Sequence, residues 1–185
     1  MEVFTVGHSN LSIEAFISLL QKQEITAVAD VRSHPYSRYL PHFNKSEIKA
    51  SLSTAGIQYV FLGKELGARP EDLSCYDING KALYERIAAT QLFAEGIQRL
   101  IKGAESYKIT LMCAEKDPST CHRTILVCRE LTKLNVQIAH ILSDSSLESQ
   151  EQLEKRLLSK FNKGKDLDGP IQLSLFELEP QFKEK

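Results

Sequence analysis

Three short stretches of this 185-residue chain carry residue types suited to chemistry. The densest is Leu111–Arg123, LMCAEKDPSTCHR, which holds Cys113, Glu115, Cys121, His122 and Arg123. An apolar run delivers Cys113, Pro118 turns the chain, and Ser119 or Thr120 can cap a helix that begins near Cys121. The free N–H groups of such a terminus attract an anion, and Arg123 adds a planar fork suited to phosphate or carboxylate. A cysteine there gains thiolate character. Anion binding, a thiol nucleophile and metal ligation therefore all remain open. Zinc could recruit Cys113, Cys121, His122 and His8, but the spacing is not that of a ribbon or finger, so no residue is assigned to a metal and no cofactor is named. A phosphatase-type loop needs its cysteine a short fixed distance before the arginine, and neither cysteine meets that requirement.

The second stretch, Gly7–Asn10 (GHSN), puts His8 just past an apolar run, where it suits a general base or an anion donor. The third, Asp30–Lys45 (DVRSHPYSRYLPHFNK), interleaves Arg32, Arg38 and Lys45 with Tyr36, Tyr39 and Phe43. From Asp30 to Arg69 six basic residues face three acidic ones, a local balance of +3 against -1 for the whole chain. Basic residues among aromatics suit phosphates and stacked bases. LGKELGARP (Leu62–Pro70) adds two glycines and Arg69 but matches neither a Walker-type phosphate loop nor a dinucleotide fingerprint.

The elements that must hold these groups are short. Val3–Val6, Thr26–Val31, Gln58–Leu62, Lys108–Cys113 and Gln137–Leu142 read as strands, several of them near-continuous apolar runs of the kind covered on both faces. Helical patterns lie between them: Ser12 through about Lys22, Asn44–Ala55 stopped by Gly56, Lys81–Glu105, Cys121–Leu134 and Leu147–Phe161. Alternation of strand and helix predicts a three-layer α/β sandwich with a mainly parallel, Rossmann-like sheet of about five strands and helices on both faces. Ligands of such sheets bind outside the carboxyl ends of the strands, and four of the five ends carry groups able to ionise, donate or coordinate.

Composition sets the outer bounds. Hydrophobic residues at 42% and charged residues at 25% are ordinary globular values, and the near-neutral charge excludes a globally basic nucleic-acid binder. The start, MEVFTVGHSN, lacks the pattern of a signal peptide, and no run approaches the ~20 apolar residues needed to span a bilayer. A cytoplasmic protein is expected, with Cys75, Cys113, Cys121 and Cys128 as thiols. Residues 1–162 are expected to form one domain. After Phe161 the polar Asn162–Pro170 reads as a linker, followed by a tail with the apolar island Ile171–Leu178.

Taken together, TVGHSN, DVRSHPYSRYLPHFNK, LGKELG and LMCAEKDPSTCHR resemble a bacterial and archaeal family known as domain-of-unknown-function family 488, over about Val3 to Leu142. The resemblance implies no settled activity. Its recurrent positions fall here on His8, Ser9, Asp30, Arg32, Ser37, Arg38, Gly63, Gly67, Cys113, Glu115, Cys121, His122 and Arg123. A second resemblance lies in the tail: QLSLF (Gln172, Leu173, Ser174, Leu175, Phe176) is similar to the peptide by which bacterial DNA polymerases and repair proteins dock on the sliding clamp.

Three functional expectations follow. The first is a DNA-associated, repair-related protein in which Ser9, Arg32, Ser37, Arg38, Glu115, His122 and Arg123 hold a nucleic acid or phosphate-bearing ligand, His8 and Asp30 serve as acid and base, and the tail engages the clamp. The second is a sulfur- or phosphoryl-transfer enzyme with Cys113 or Cys121 as nucleophile. The third is a non-catalytic module that grips a phosphorylated ligand.

Overall fold

A computed structural model describes residues 1–162. Its core is one six-stranded sheet: β1 (Glu2–Gly7), β2 (Ala27–Asp30), β3 (Gln58–Phe61), β4 (Ile109–Cys113), β5 (Gln137–Ile141) and β6 (Leu147–Ser149), in the order β3-β2-β4-β1-β5-β6. All pairings are parallel except β5 with β6. The α/β sandwich expected from the sequence is thus present, with an antiparallel edge strand that the sequence reading had placed inside the last helix.

Side chains alternate between two cores. Val28, Met112, Phe4, Val6, Ala139 and Ile141 face one layer, where Phe16 and Leu20 of α1 (Ile13–Lys22) and Ile48 and Leu52 of α2 (Lys45–Thr54) cover them. Ala27, Ala29, Ile109, Leu111, Cys113, Val3 and Ile138 face the other. That face is covered by α3 (Gly63–Leu66), α4 (Tyr84–Ala88), α5 (Gln91–Ala104), a π-helical turn (Arg123–Cys128) and α6 (Arg129–Lys133). The last helix, α7 (Gln150–Asn162), buries Leu153 and Leu157. Strands buried on both sides explain why the sequence shows continuous apolar runs there.

The chain leaves β1 and β2 toward the first layer and leaves β3 and β4 toward the second. Strand β4 lies between β1 and β2, so its connection diverges from both neighbours. This is the topological switch where open parallel sheets form a crevice.

Helix limits are set locally. The Ser12 hydroxyl caps α1 by accepting from Ala15 N at 3.2 Å, as its position suggested. Gly56 closes α2 at φ +74°. The helix expected over Lys81–Glu105 is broken: α4 ends before Thr90, whose side chain accepts from Phe93 N and starts α5.

Candidate functional site

Two clusters meet at the end of β4. The first is built on β2. Asp30 is fully buried and accepts from Arg32 Nε at 2.9 Å, Arg32 Nη2 at 2.7 Å and Arg32 N at 3.1 Å. Tyr59 of β3 donates its hydroxyl to the same carboxylate at 2.8 Å. Burial and the Asp30 charge hold that phenol well above its usual range. Arg32 Nη2 also donates to Phe43 O at 2.9 Å, and Nη1 donates to His8 Nε2 at 3.1 Å. His8 donates through Nδ1 to Ser9 O and stacks on the Phe43 ring at 4.1 Å. Its tautomer and plane are therefore fixed, and burial together with the Arg32 charge pushes it down to about 4. His8 is a neutral imidazole whose one lone pair is already occupied, and Asp30 a carboxylate saturated with donors. Both are expected from sequence as acid–base groups; the structure joins them through Arg32 in one buried hydrogen-bonded cluster.

The second cluster comes from the segment after β4. Cys113 Sγ lies 3.6 Å from His122 Nδ1, and Cys121 Sγ lies 3.1 Å from Glu115 Oε2. One ligand-type atom from each of Cys113, Glu115, Cys121 and His122 fits within 4.8 Å of all the others. His122 Nε2 donates to Val31 O at 3.0 Å, which leaves its Nδ1 lone pair facing the sulfurs. Burial of Cys121 opposes its ionisation, but the hydrogen bond from Cys113 and the neighbouring His122 and Arg123 outweigh this and bring it down to about 6. Cys113, hydrogen-bonded to that sulfur and buried, is held protonated well above the usual thiol range.

The segment approaches β1 closely. His8 N and Ser9 N donate to Cys113 O and Ala114 O, both at 2.9 Å, so the ladder continues past the strand ends. A Cβ on Gly7 would fall 1.8 Å from Glu115 O, which explains the glycine. Ser9 takes φ 48°, a left-handed conformation uncommon for serine. The LGKELG glycines act likewise: a Cβ on Gly63 would meet Arg32 O at 2.0 Å and one on Gly67 would meet Ser33 Oγ at 2.3 Å. They let α3 pack on the β2 loop.

Arg123 differs most from expectation. It is 1% exposed and donates to Glu115 O at 2.6 Å, Thr5 Oγ1 at 3.3 Å and Lys116 O at 3.4 Å. The helix expected from Cys121 does begin there, with Thr124 N and Ile125 N donating to Cys121 O, but neither Ser119 nor Thr120 caps it. Asp117 caps the short turn Pro118–Thr120, Cys121 N bonds Pro118 O, and Arg123 N donates to Cys121 Sγ at 3.4 Å before the π-helical turn begins. The Arg123 guanidinium is enclosed among the oxygens it bonds.

Behind Arg123 runs a buried chain of hydrogen bonds. Thr5 Oγ1 donates to His140 Nδ1 at 2.8 Å, His140 Nε2 to Gln150 Oε1 at 3.0 Å, and Gln150 Nε2 to Glu154 Oε1 at 3.1 Å. His140, read from sequence only as a histidine in an apolar run, is neutral for the same reason as His8, with burial driving it to about 4. Thr5, Tyr59 and Gln150 gave no sequence signal, because their roles rest on partners far away in the chain.

Ser37 and Arg38 lie apart from both clusters. Ser37 shapes its own loop, its hydroxyl accepting from Tyr39 N and Leu40 N at 3.2 Å. Arg38 is exposed between Tyr36 and Tyr39, which are 71% and 91% exposed.

The fold and site thus define an α/β protein with a polar centre at the carboxyl edge of a parallel sheet. A family model described as domain of unknown function DUF488 matches residues 12–129, more than half of the chain, and the chain belongs to that family. No curated protein and no solved structure gives a match. No helix among the described residues is long and apolar enough to cross a membrane. The QLSLF segment lies outside the described residues.

Proposed function

We propose that the protein binds a nucleic acid, or a smaller phosphate-bearing ligand with an aromatic base, over the loop that leaves β2. The observation that carries this reading is the pair of solvent-exposed tyrosines, Tyr36 and Tyr39, flanking the exposed Arg38. Aromatic rings left in water add little to folding, whereas each can stack a base. The loop that presents them is tied down: Lys45 N donates to Pro35 O, Ser37 N to Asn44 Oδ1, and Arg32 to Phe43 O. A preorganised platform loses little entropy on binding. Phosphate contact falls to Arg38 and to the exposed Arg69, whose amide is held by Ser33 Oγ at 3.0 Å. The inner guanidiniums of Arg32 and Arg123 position the scaffold.

Fluorescence anisotropy with labelled single-stranded and duplex DNA over a salt series tests this. Single-strand affinity should fall with salt, and Arg38→Ala should lower the salt slope by about 0.7. Tyr36→Ala and Tyr39→Ala should each weaken binding by about 1–3 kcal/mol. Absence of salt-dependent binding to either DNA ends the proposal.

Association with DNA repair extends the same reading. Gln172, Leu173, Leu175 and Phe176 are proposed to dock on a sliding clamp, and Phe176→Ala should abolish co-elution with purified bacterial clamp. A cysteine-dependent transfer reaction is the weaker reading, because Cys113 and Cys121 are almost wholly enclosed, at 2% and 1% exposure.

A further inference from the structure

The geometry points to a binding site for a thiophilic divalent cation of the zinc class, formed by Cys113 Sγ, Cys121 Sγ, His122 Nδ1 and a Glu115 carboxylate oxygen. This goes beyond ligand binding on the β2 loop and depends on none of its residues.

Four observations support it independently. The first is the donor set, two sulfurs, one imidazole nitrogen and one carboxylate oxygen, all within 4.8 Å of one another. Two thiolates favour a soft or borderline ion over magnesium or calcium, and four donors suit the tetrahedral preference of zinc. With ordinary zinc–sulfur and zinc–nitrogen lengths, a tetrahedral edge is about 3.6 Å. The Cys113–His122 separation is 3.6 Å. The Cys121–Glu115 separation of 3.1 Å is a thiol–carboxylate hydrogen bond, which widens slightly when a cation replaces the proton.

The second is orientation. The His122 Nε2–H is fixed on Val31 O, the outer-shell arrangement that locks the tautomer of a metal-ligating histidine and turns its other nitrogen inward. The third is charge. Arg123 is almost completely buried, and the oxygens it bonds are the two carbonyls and the Thr5 hydroxyl. Two thiolates and a carboxylate carry three negative charges, which a dication and this guanidinium together neutralise. The fourth is anchoring. Arg123 grips Glu115 O and donates its own N–H to Cys121 Sγ, while Gly7 allows the Glu115 backbone to sit directly against β1. Both sides of the donor segment are thereby held.

The site opens one way. Cys113 and Cys121 are buried, His122 is half-buried and Glu115 is exposed, so a water or substrate atom reaches the ion from the Glu115 side. From sequence, His8 is the fourth residue that zinc could recruit, although the spacing matches no zinc motif and assigns no ligand. Its Nε2 instead accepts from Arg32, and Glu115 takes that place.

The test uses the full-length chain, stripped with a chelator and titrated with Zn²⁺ against a chromogenic chelator, and with Co²⁺ followed by absorption. One ion per chain is expected, with thiolate-to-cobalt charge-transfer bands and tetrahedral d–d bands. Cys113→Ser, Cys121→Ser and His122→Gln should each lower affinity by more than the roughly 10–100-fold that an outer-shell partner contributes. Glu115→Gln should lower it less and alter the d–d bands, and Cys75→Ser, which removes a thiol outside the donor set, should leave the affinity unchanged. Circular dichroism checks folding. If the cysteine variants unfold, His122→Gln and Glu115→Gln decide. Failure of the wild-type chain to take up one ion, binding without sulfur charge transfer, or unchanged affinity in both of those variants overturns the proposal. The titration contains no nucleic acid, so its result is separate from the fate of the DNA-binding reading.

Discussion

The Asp30 carboxylate shows how one buried residue organises many others. It accepts three bonds from Arg32 and one from Tyr59, and through Arg32 it fixes His8 and the Phe43 carbonyl. Asp30→Asn leaves a buried guanidinium without its counter-charge, and a loss of about 3–5 kcal/mol in urea unfolding is expected. Gly7→Ala sets a methyl against the Glu115 carbonyl, and a loss of about 3 kcal/mol is expected in the same assay. At this scale the sequence reading was strong on place and weak on role. His8, Asp30, Arg32, Cys113, Cys121, His122 and Arg123 follow strand ends and were legible as a rim. Whether each faces outward or braces a neighbour depends on hydrogen-bond partners up to 118 residues away, as between Arg123 and Thr5, and no spacing rule reports those.

Among the elements, agreement follows the strength of the local signal. Ser12, with its first-turn Glu14, marked the start of α1, and Gly56 marked the end of α2. The run of apolar residues from Leu83 to Ile101 suggested one long helix, although Ile87 and Leu92, five apart, fall on different faces of one. The contrary signal was Thr90, a capping residue inside the pattern. Thr90→Ala should cost about 1 kcal/mol and raise amide exchange in the first turn of α5, read by hydrogen–deuterium exchange. Leu147–Ser149 escaped notice because a three-residue edge strand has too little alternation to register, and its pairing with β5 comes from the turn at Ser145, at φ 69°. The π-helical turn after Cys121 was likewise invisible, since it is a matter of hydrogen-bond register and its apolar pattern looks like any helix.

For the molecule as a whole, the parallel sandwich was legible from alternating elements, and the strand order was not. That order matters, since it sets β4 between β1 and β2 and so brings the three site-bearing loops together. It also buries two histidines in neutral form. His8 and His140 both titrate near 4 in the folded chain, against 6.5 when exposed. The unfolded chain therefore binds protons first as pH falls. Stability contributed by these groups is complete above pH 6.5 and is lost between 6.5 and about 4, on the order of 3 kcal/mol per imidazole at most. The urea midpoint should decline across that window, and His140→Gln should flatten the decline. An equally steep slope in that variant would show that His140 carries no part of it. Asp117, drawn to about 2 as Arg156 and the Ser119 amide outweigh its burial, loses its contribution only at more acidic pH.

The row from Arg123 through Thr5, His140 and Gln150 to Glu154 has a single polarity: each hydrogen leans outward, away from the guanidinium. Reversal would require arginine to accept, which it cannot do. The inner end is thus permanently electropositive and the outer end permanently electron-rich. A valine in place of Thr5 would cut this wire at its second bead, leaving an imidazole nitrogen and a guanidinium N–H facing methyl groups at the back of the sulfur pocket.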